Sequence, residues 1–488
     1  MGFKVDTSFL KFLTMGARGT ERVIAELTAM GFRPIELERY CTSNKIWATK
    51  VKRLRLPDLI CVQTGLRLEV RAKSALQFKM SDAPNNPDRA WDAGLRDEDV
   101  VALIACTDSP AGPVPADRGV YVSVAALRAS VGTSALGPPK SASEGAERDR
   151  TWPATVPKRP GHVVEVSPQR IVVVMDGDGA PPRRQTFTLN GKHPYVGVGD
   201  NFSGGSSIIA GTPATLANLQ PFLAQQYDPV AALASQSPVD RYAGAKALRF
   251  RDDLWPGAHG PLSNALKAEV EPRVALEIAG TLAAKEDDAG RNHVRTALFG
   301  DGPIDLSMEA ILILTEIADE FARGQLREAA QADQFGGDER RQAAIWGLGK
   351  AGLKSYADLL TYIADADENV AFHAIAAFGN DAPRDVVQAL VALLDDADVR
   401  KASAASEALR VINSQIVVDE LAANAGNGVS EWSVATLGRL SPDLVRAHLK
   451  DPALLQRIAP MLLIAQGANW LATEQSTTDL SFLLKQDA

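Results

Sequence analysis

At 488 residues, with 45% hydrophobic and 23% charged side chains and a formal net charge of −8, the chain is too long for one hydrophobic core and predicts a multidomain protein of roughly three domains. No apolar run approaches the ~20 residues of a membrane span, so no membrane crossing is expected. Three cysteines and six histidines are scattered without C-x-x-C or finger spacing, which supports neither a disulfide framework nor a zinc site.

The start, MGFKVDTSFLKFL, has no signal-peptide pattern, and Asp6 stands where N-myristoylation requires Ser or Thr, so the expected compartment is the cytoplasm. Residues 1–131 read as mixed α/β. TERVIAELTAM, from Thr20 to Met30, places Val23, Ile24 and Leu27 at helical spacing, with Thr20 as cap and Gly31 as stop. Ile46–Lys50, Leu56–Val62, Leu66–Lys73, Val100–Cys106 and Val120–Val124 are β-type runs, and Asp88 to Leu95 is expected to be helical. Residues 132–160, rich in Pro, Gly and Ser, predict a linker or irregular insertion, and 161–213 (HVVEV, RIVVVM, RQTFTL, YVGV) predict a small β-rich module. The loop GVGDNFSGGSS in that module lacks the G-x-x-x-x-G-K-[ST] cradle for phosphates and reads as Gly-rich turns.

From about Ala214 the composition turns Ala- and Leu-rich and repeats itself, with anchors at Leu248, Leu282, Ile317, Leu348, Phe378, Leu409 and Leu437, some 28 to 35 residues apart. Asp-rich turns precede several of the Ala-rich helices. A period near 30 with small residues at the packing positions predicts an all-α, HEAT-like solenoid over 214–488, in which each hairpin buries its apolar stripe against the next. His373 and Trp346 on these helices read as packing residues.

The charge is uneven. Residues 1–105 hold 17 basic against 13 acidic residues, leaving 35 against 47 for the rest. Nine basic residues between Lys45 and Lys79 face only Asp58 and Glu69. This suits a polyanion, and Lys50, Lys52, Arg53, Arg55 and Lys79 are the expected nucleic-acid contacts.

If the turn between the second and third β-runs is Val62 to Gly65, cross-strand partners have numbers summing to 127, and Asp58 lies opposite Glu69. Directly opposed carboxylates repel unless a cation lies between them, and oxygen-only ligands suit Mg²⁺ or Mn²⁺. Alternation along the third run puts Arg67, Glu69, Arg71 and Lys73 on one face. Carboxylates that hold a metal, beside cations that offset charge on a phosphate, are the equipment of phosphodiester hydrolysis.

Pro57-Asp58 followed by Glu69-Val70-Arg71 with Lys73 on the same face, behind a helix bearing Glu21, resembles the PD-(D/E)XK restriction-endonuclease-like superfamily over about residues 8–125. The resemblance implies an αβββαβ core, Asp58 and Glu69 as metal ligands with Glu21 as auxiliary ligand, and Mg²⁺ or Mn²⁺ as cofactor. The family's strict lysine position is Arg71, so Lys73, two residues further on, takes the lysine's role, with Arg71 stabilising charge. The expected function is metal-dependent DNA endonuclease activity, with the solenoid binding a protein partner or regulating access to the site, in a prokaryotic anti-phage defence setting; homo-oligomers are left open. The alternative is a catalytically degenerate nuclease fold that clamps nucleic acid or serves as a scaffold.

Overall fold

The computed structural model describes residues 7–38, 54–109, 112–140, 147–177, 181–331, 339–350, 352–426 and 431–467. Two compact units divide them, one of residues from Lys11 to Thr281 and the other of residues from Leu282 onward together with 7–10.

In the first unit, α1 (Thr7–Ala29) is followed by β1 (Pro34–Glu36), β2 (Leu59–Cys61) and β3 (Arg67–Lys73). Then come β4 (Phe78–Asp82), β5 (Val100–Ser109), β6 (Gly112–Pro115), β7 (Val120–Ser123) and α2 (Val124–Ala129). The main sheet has the order β1-β2-β3-β5-β6, with β7 also on β5; β3 and β5 are parallel, and β1 to β3 form an antiparallel meander. The expected strand Ile46–Lys50 lies outside the described residues, and the meander's first strand is the three-residue β1.

The helix is longer than its sequence pattern predicts. Thr20 does not cap it; its hydroxyl donates to the Gly16 carbonyl at 3.1 Å inside the helix. Gly31, at φ +98, does end it. Val23 and Leu27 pack on Leu59, Leu68 and Val70. Gly19 lets the helix lie close on the sheet, since a Cβ there would meet the Ala72 Cβ at 2.6 Å and Ile104 at 3.1 Å. Gly19→Ala is therefore expected to destabilise the unit by about 1–3 kcal/mol through overpacking, despite alanine's better helix propensity, as urea denaturation would read.

No α-helix forms between β3 and β5. Pro87–Arg89 is a single 3₁₀ turn, capped by the Asn86 side chain, and further turns follow it. Local polar contacts decide this: Asp82 accepts from the Trp91 N–H at 3.2 Å, and Arg128 pairs with Asp92 at 2.7 Å and Asp97 at 2.5 Å. Trp91 packs edge-on against Trp152 at 5.0 Å, as a core residue.

The segment 132–160, expected to be irregular, contains β8 (Ala135–Leu136), β9 (Arg148–Trp152) and β10 (Ala154–Thr155). Strand β9 pairs with β4, and Arg150–Asp82 (2.6 Å) and Lys79–Asp149 (2.7 Å) tie the two together. Within the β-rich module, β11 (Gly161–Val166), β12 (Arg170–Met175), β13 (Arg183–Thr188) and β15 (Asn201–Phe202) make an antiparallel sheet over Val163, Ile171 and Val173. The intervening β14 (His193–Pro194) joins β10 and β16 (Ala210–Gly211) in a small third sheet.

After the short α3 (Pro229–Ala232), helices α4 (Pro238–Arg249), α5 (Trp255–Ala268) and α6 (Pro272–Ala283) begin the helical repeats. Arg249–Glu277 (2.6 Å) and Thr281 Oγ1 on the Ala245 carbonyl (2.8 Å) fasten α6 to α4.

The second unit is all-helical among its described residues, from Asp288–Phe299 to Pro452–Gly467. Most of the described helices pack on the next and most on the next but one, which is the contact pattern of a stack of helical hairpins. Leu348, Phe378, Leu409 and Leu437 are fully buried, as their spacing predicts, whereas Ile317 is only half-buried and Ile313 and Leu314 take its place in the core. The acidic turns are helix caps: Asp287, Asp319, Asp367 and Asp398 each accept from the first turn of the following helix. No helix among the described residues is long and apolar enough to cross a membrane.

Candidate functional site

The β2–β3 register pairs Leu59 with Leu68 and Ile60 with Arg67. Both sums are 127, so Asp58, just before β2, faces Glu69. The four-residue turn sets this pairing, and Gly65, at φ +72, closes it. Asp58 Oδ2 accepts from the Val70 N–H at 2.6 Å, and Oδ1 makes no hydrogen bond with a described residue. The Asp58 carbonyl accepts from the Leu37 N–H at 2.8 Å, which brings the next residue, Glu38, to the same end of β2.

Strand β3 carries two chemistries. Leu68 and Val70 pack under α1, while Glu69, Arg71 and Lys73 point to the other side, in register with Val101, Leu103 and Ala105 of β5. Glu69 is 13% exposed and forms an ion pair with Arg71, which is 32% exposed. Burial pushes the Glu69 carboxyl up to about 8; Arg71 opposes the rise, and Asp58 and Glu38 add to it. Arg71 is drawn down by burial, but Glu69, Asp58 and Glu38 outweigh that and raise it above its usual value. Three carboxylates thus act electrostatically on one guanidinium.

Lys73 has no hydrogen bond or ion pair with a described residue. Burial first, then Arg71, Lys79 and Lys140, push its ammonium down to about 8, with Asp149 opposing. Neighbouring cations are already paired: Lys79 with Asp149 at 2.7 Å, Lys140 with Glu147 and Asp149 at 3.1 Å each, and Arg89 with Glu147 at 2.5 Å.

The other expected residues fall elsewhere. Glu21 is exposed on α1, and α1 covers the sheet face opposite Glu69, so Glu38 rather than Glu21 is the third carboxylate acting on the pair. The clue to Glu38 was Pro34-Ile35-Glu36, a strand too short to stand out from the loop around it. Arg55 is exposed, and its Nε donates to the Asp88 carbonyl at 2.6 Å. Lys45, Lys50, Lys52 and Arg53 lie outside the described residues.

Arg67 shares the charged face but is not a surface group. It is 1% exposed, clasps Asp99 with Nε at 2.9 Å and with Nη2, and reaches Asp240 of α4 with Nη1 at 2.8 Å. Arg96 also approaches Asp99 (3.3 Å) and Asp240 (3.9 Å). Sequence spacing could not reveal a pair 173 residues apart.

Among the described residues no group of three or more His, Cys, Asp or Glu side chains is arranged to hold a metal by itself. The donor chemistry nevertheless fits Mg²⁺ or Mn²⁺. Mg²⁺ keeps several waters and is commonly held by one or two carboxylates together with substrate phosphates, a role open to Asp58 Oδ1 and Glu69.

No family model matches the chain, and no curated protein matches it. Among solved structures, an engineered protein shares 14% identity over 53% of this chain and 88% of its own, at a TM-score of 0.24. A second engineered protein shares 18% over 51% and 96%, at 0.21, and human deoxyhypusine hydroxylase in complex with glycerol shares 16% over 49% and 95%, at 0.20. TM-scores of this size carry no argument about fold or function.

Proposed function

We propose that this protein is a metal-dependent nuclease that hydrolyses DNA phosphodiesters at the Asp58–Glu69–Lys73 face, in a PD-(D/E)XK-like domain. The observation that carries the reading is the hairpin register: it sets two carboxylates opposite each other on a strand whose next same-face residues are Arg71 and an unpaired Lys73. Bound Mg²⁺ or Mn²⁺ would supply an acidified water and a positive charge at the phosphate. Asp58, held by the Val70 N–H with one oxygen free of hydrogen bonds to described residues, and Glu69 would hold the cation, and the Arg71 guanidinium, if freed from Glu69, would offer two donors to a phosphate. Lys73, already unpaired, is the group that orients the attacking water and offsets developing charge.

The helical region follows an N-terminal segment that holds the basic excess, and the residues beyond 105 are acidic in sum. A HEAT-like solenoid of that charge suits a protein partner better than DNA, and a role in prokaryotic anti-phage defence extends the same proposal. The Glu69–Arg71 ion pair favours a second reading, in which the guanidinium permanently replaces the metal and the fold only binds nucleic acid.

Plasmid and linear DNA incubated with the full chain and Mg²⁺, Mn²⁺ or EDTA separate the two readings. Metal-dependent cleavage supports the nuclease; DNA binding without cleavage under any metal supports the degenerate fold.

The Glu69 shift gives this proposal a pH signature. Burial raises the Glu69 carboxyl to about 8 from the ordinary 4.5, so it takes up a proton far more readily than an exposed carboxyl, and the ion pair with Arg71 belongs to its deprotonated form. Cation binding must expel that proton below about 8. Apparent Mn²⁺ affinity is therefore expected to rise about tenfold per pH unit towards that value and to level off above it, as isothermal titration would read, with the slope lost in Glu69→Gln. The same shift makes Glu69 cost stability as pH rises from 4.5 through about 8, because only the unfolded chain releases the proton freely in that window.

A further inference from the structure

We infer that the cleft beside Arg67 is a nucleobase site. A cleft of about 390 Å³ opens at the hairpin end of β2 and β3, lined by Gly65, Arg67, Arg96, Phe222, Gln226 and Tyr227 among others. That volume lies in the range of small-molecule sites and suits one nucleoside. A neighbouring hollow of about 210 Å³ shares Gly65, Arg67, Arg96 and Tyr227 and extends to Asp240.

Charge decides the class of ligand. Two guanidinium groups in the wall, Arg67 and Arg96, would ordinarily invite a phosphate. Here both are turned onto Asp99 and Asp240, and Glu98 lies exposed in the same lining. No surplus positive charge remains for an anion. What remains is neutral and directional: the Gln226 side-chain amide, which has no hydrogen bond to a described residue, offers both donor and acceptor. Phe222 and Tyr227 are the aromatic residues of the lining. The Tyr227 ring is seated against Gly65, where a Cβ would come within 2.7 Å of it, and the Tyr227 backbone N–H donates to the Gln63 carbonyl at 3.0 Å. This wall is preformed. A flat, uncharged ring with hydrogen-bonding edges matches such a lining, and a base is the ring that DNA would bring.

Position gives the cleft its use. Arg67 precedes Glu69 by two residues on the same strand face, about 7 Å along it. Resting on the nuclease reading, the cleft takes a base next to the cleaved phosphate and makes the cut sensitive to that base.

The test uses the full chain without added metal. Adenosine, guanosine, cytidine, thymidine and inorganic phosphate are each titrated and followed by saturation-transfer NMR. Binding of at least one nucleoside at about 1 mM or tighter, none of phosphate, and a weakening of about tenfold or more in Gln226→Ala, whose residue is exposed, is the expected result. Asp58→Ala should bind the nucleoside as the parent does. Sequencing of DNA ends from any metal-dependent cleavage should show a base bias at one fixed position, lost in Gln226→Ala. Nucleoside binding without cleavage leaves the site standing and removes the nuclease. Cleavage without nucleoside binding or base bias, binding indifferent to Gln226→Ala, or phosphate binding in place of nucleosides overturns the site.

Discussion

Asp58→Ala and Glu69→Ala are each expected to lower metal-dependent DNA cleavage by at least about a hundredfold while leaving the protein folded. Asp58 contributes one hydrogen bond to the Val70 N–H, and its loss exposes the β2–β3 hairpin to a modest change, on the order of 1 kcal/mol. Burial is the main cause that pushes Glu69 up and Asp58 adds to it, so removing Asp58 eases that strain and offsets part of the lost hydrogen bond, while removing Glu69 takes away a carboxyl that is costly to bury. On the same reasoning Lys73→Ala lowers turnover about 10²–10³-fold, and more than Arg71→Ala does, because Arg71 is spent on Glu69 until a cation arrives. Single-turnover cleavage with each purified variant, beside a urea unfolding curve, reads both effects. Near-parental cleavage by either carboxylate variant at saturating Mn²⁺ would remove the metal site from this face, and a dead Arg71→Ala beside a mild Lys73→Ala would exchange the two cationic roles.

Arg67→Met is expected to give the largest loss of stability among single changes on this face, about 3–5 kcal/mol, because it takes from Asp99, itself 1% exposed, its buried cation and leaves only the Arg96 backbone N–H and the more distant, half-exposed Arg96 guanidinium. Arg96→Ala provides the comparison. Arg96 touches the same Asp99 but is 42% exposed, and its removal should cost no more than about 1 kcal/mol. Urea denaturation of the full chain, followed by a probe of the first unit such as its tryptophan fluorescence, distinguishes the two. Equal losses would mean that burial does not set the strength of this network.

The hairpin was legible in the sequence because a four-residue turn fixes register and alternation fixes faces; Asp58, Glu69, Arg71 and Lys73 needed no longer-range information. The periodic Ala-rich helices were legible for a similar reason, since the repeat is local. What escaped the sequence pattern was set by distant partners. Arg148–Trp152 has too many charged residues to read as a strand, yet its charges are neutralised across β4 by Lys79 and Asp82. Asp88 to Leu95 has helical spacing, but side-chain hydrogen bonds from Asn86 and Asp82 satisfy its backbone in turns instead. Arg67 counted as one more cation in a basic run and proved to be the most enclosed of those described, with Asp240 on a helix that the sequence assigned to a different domain.

That ion pair has a consequence for synthesis. A ribosome adding about 5–20 residues per second makes Asp240 roughly 10–35 s after Arg67. During that interval the emerging sheet must keep one of its most buried cations short of a partner. The strand that bears Glu69 can reach its final charge balance only once the first helical repeat has left the exit tunnel, so a nascent chain is held back from the mature arrangement of that strand by the order in which its own residues are made.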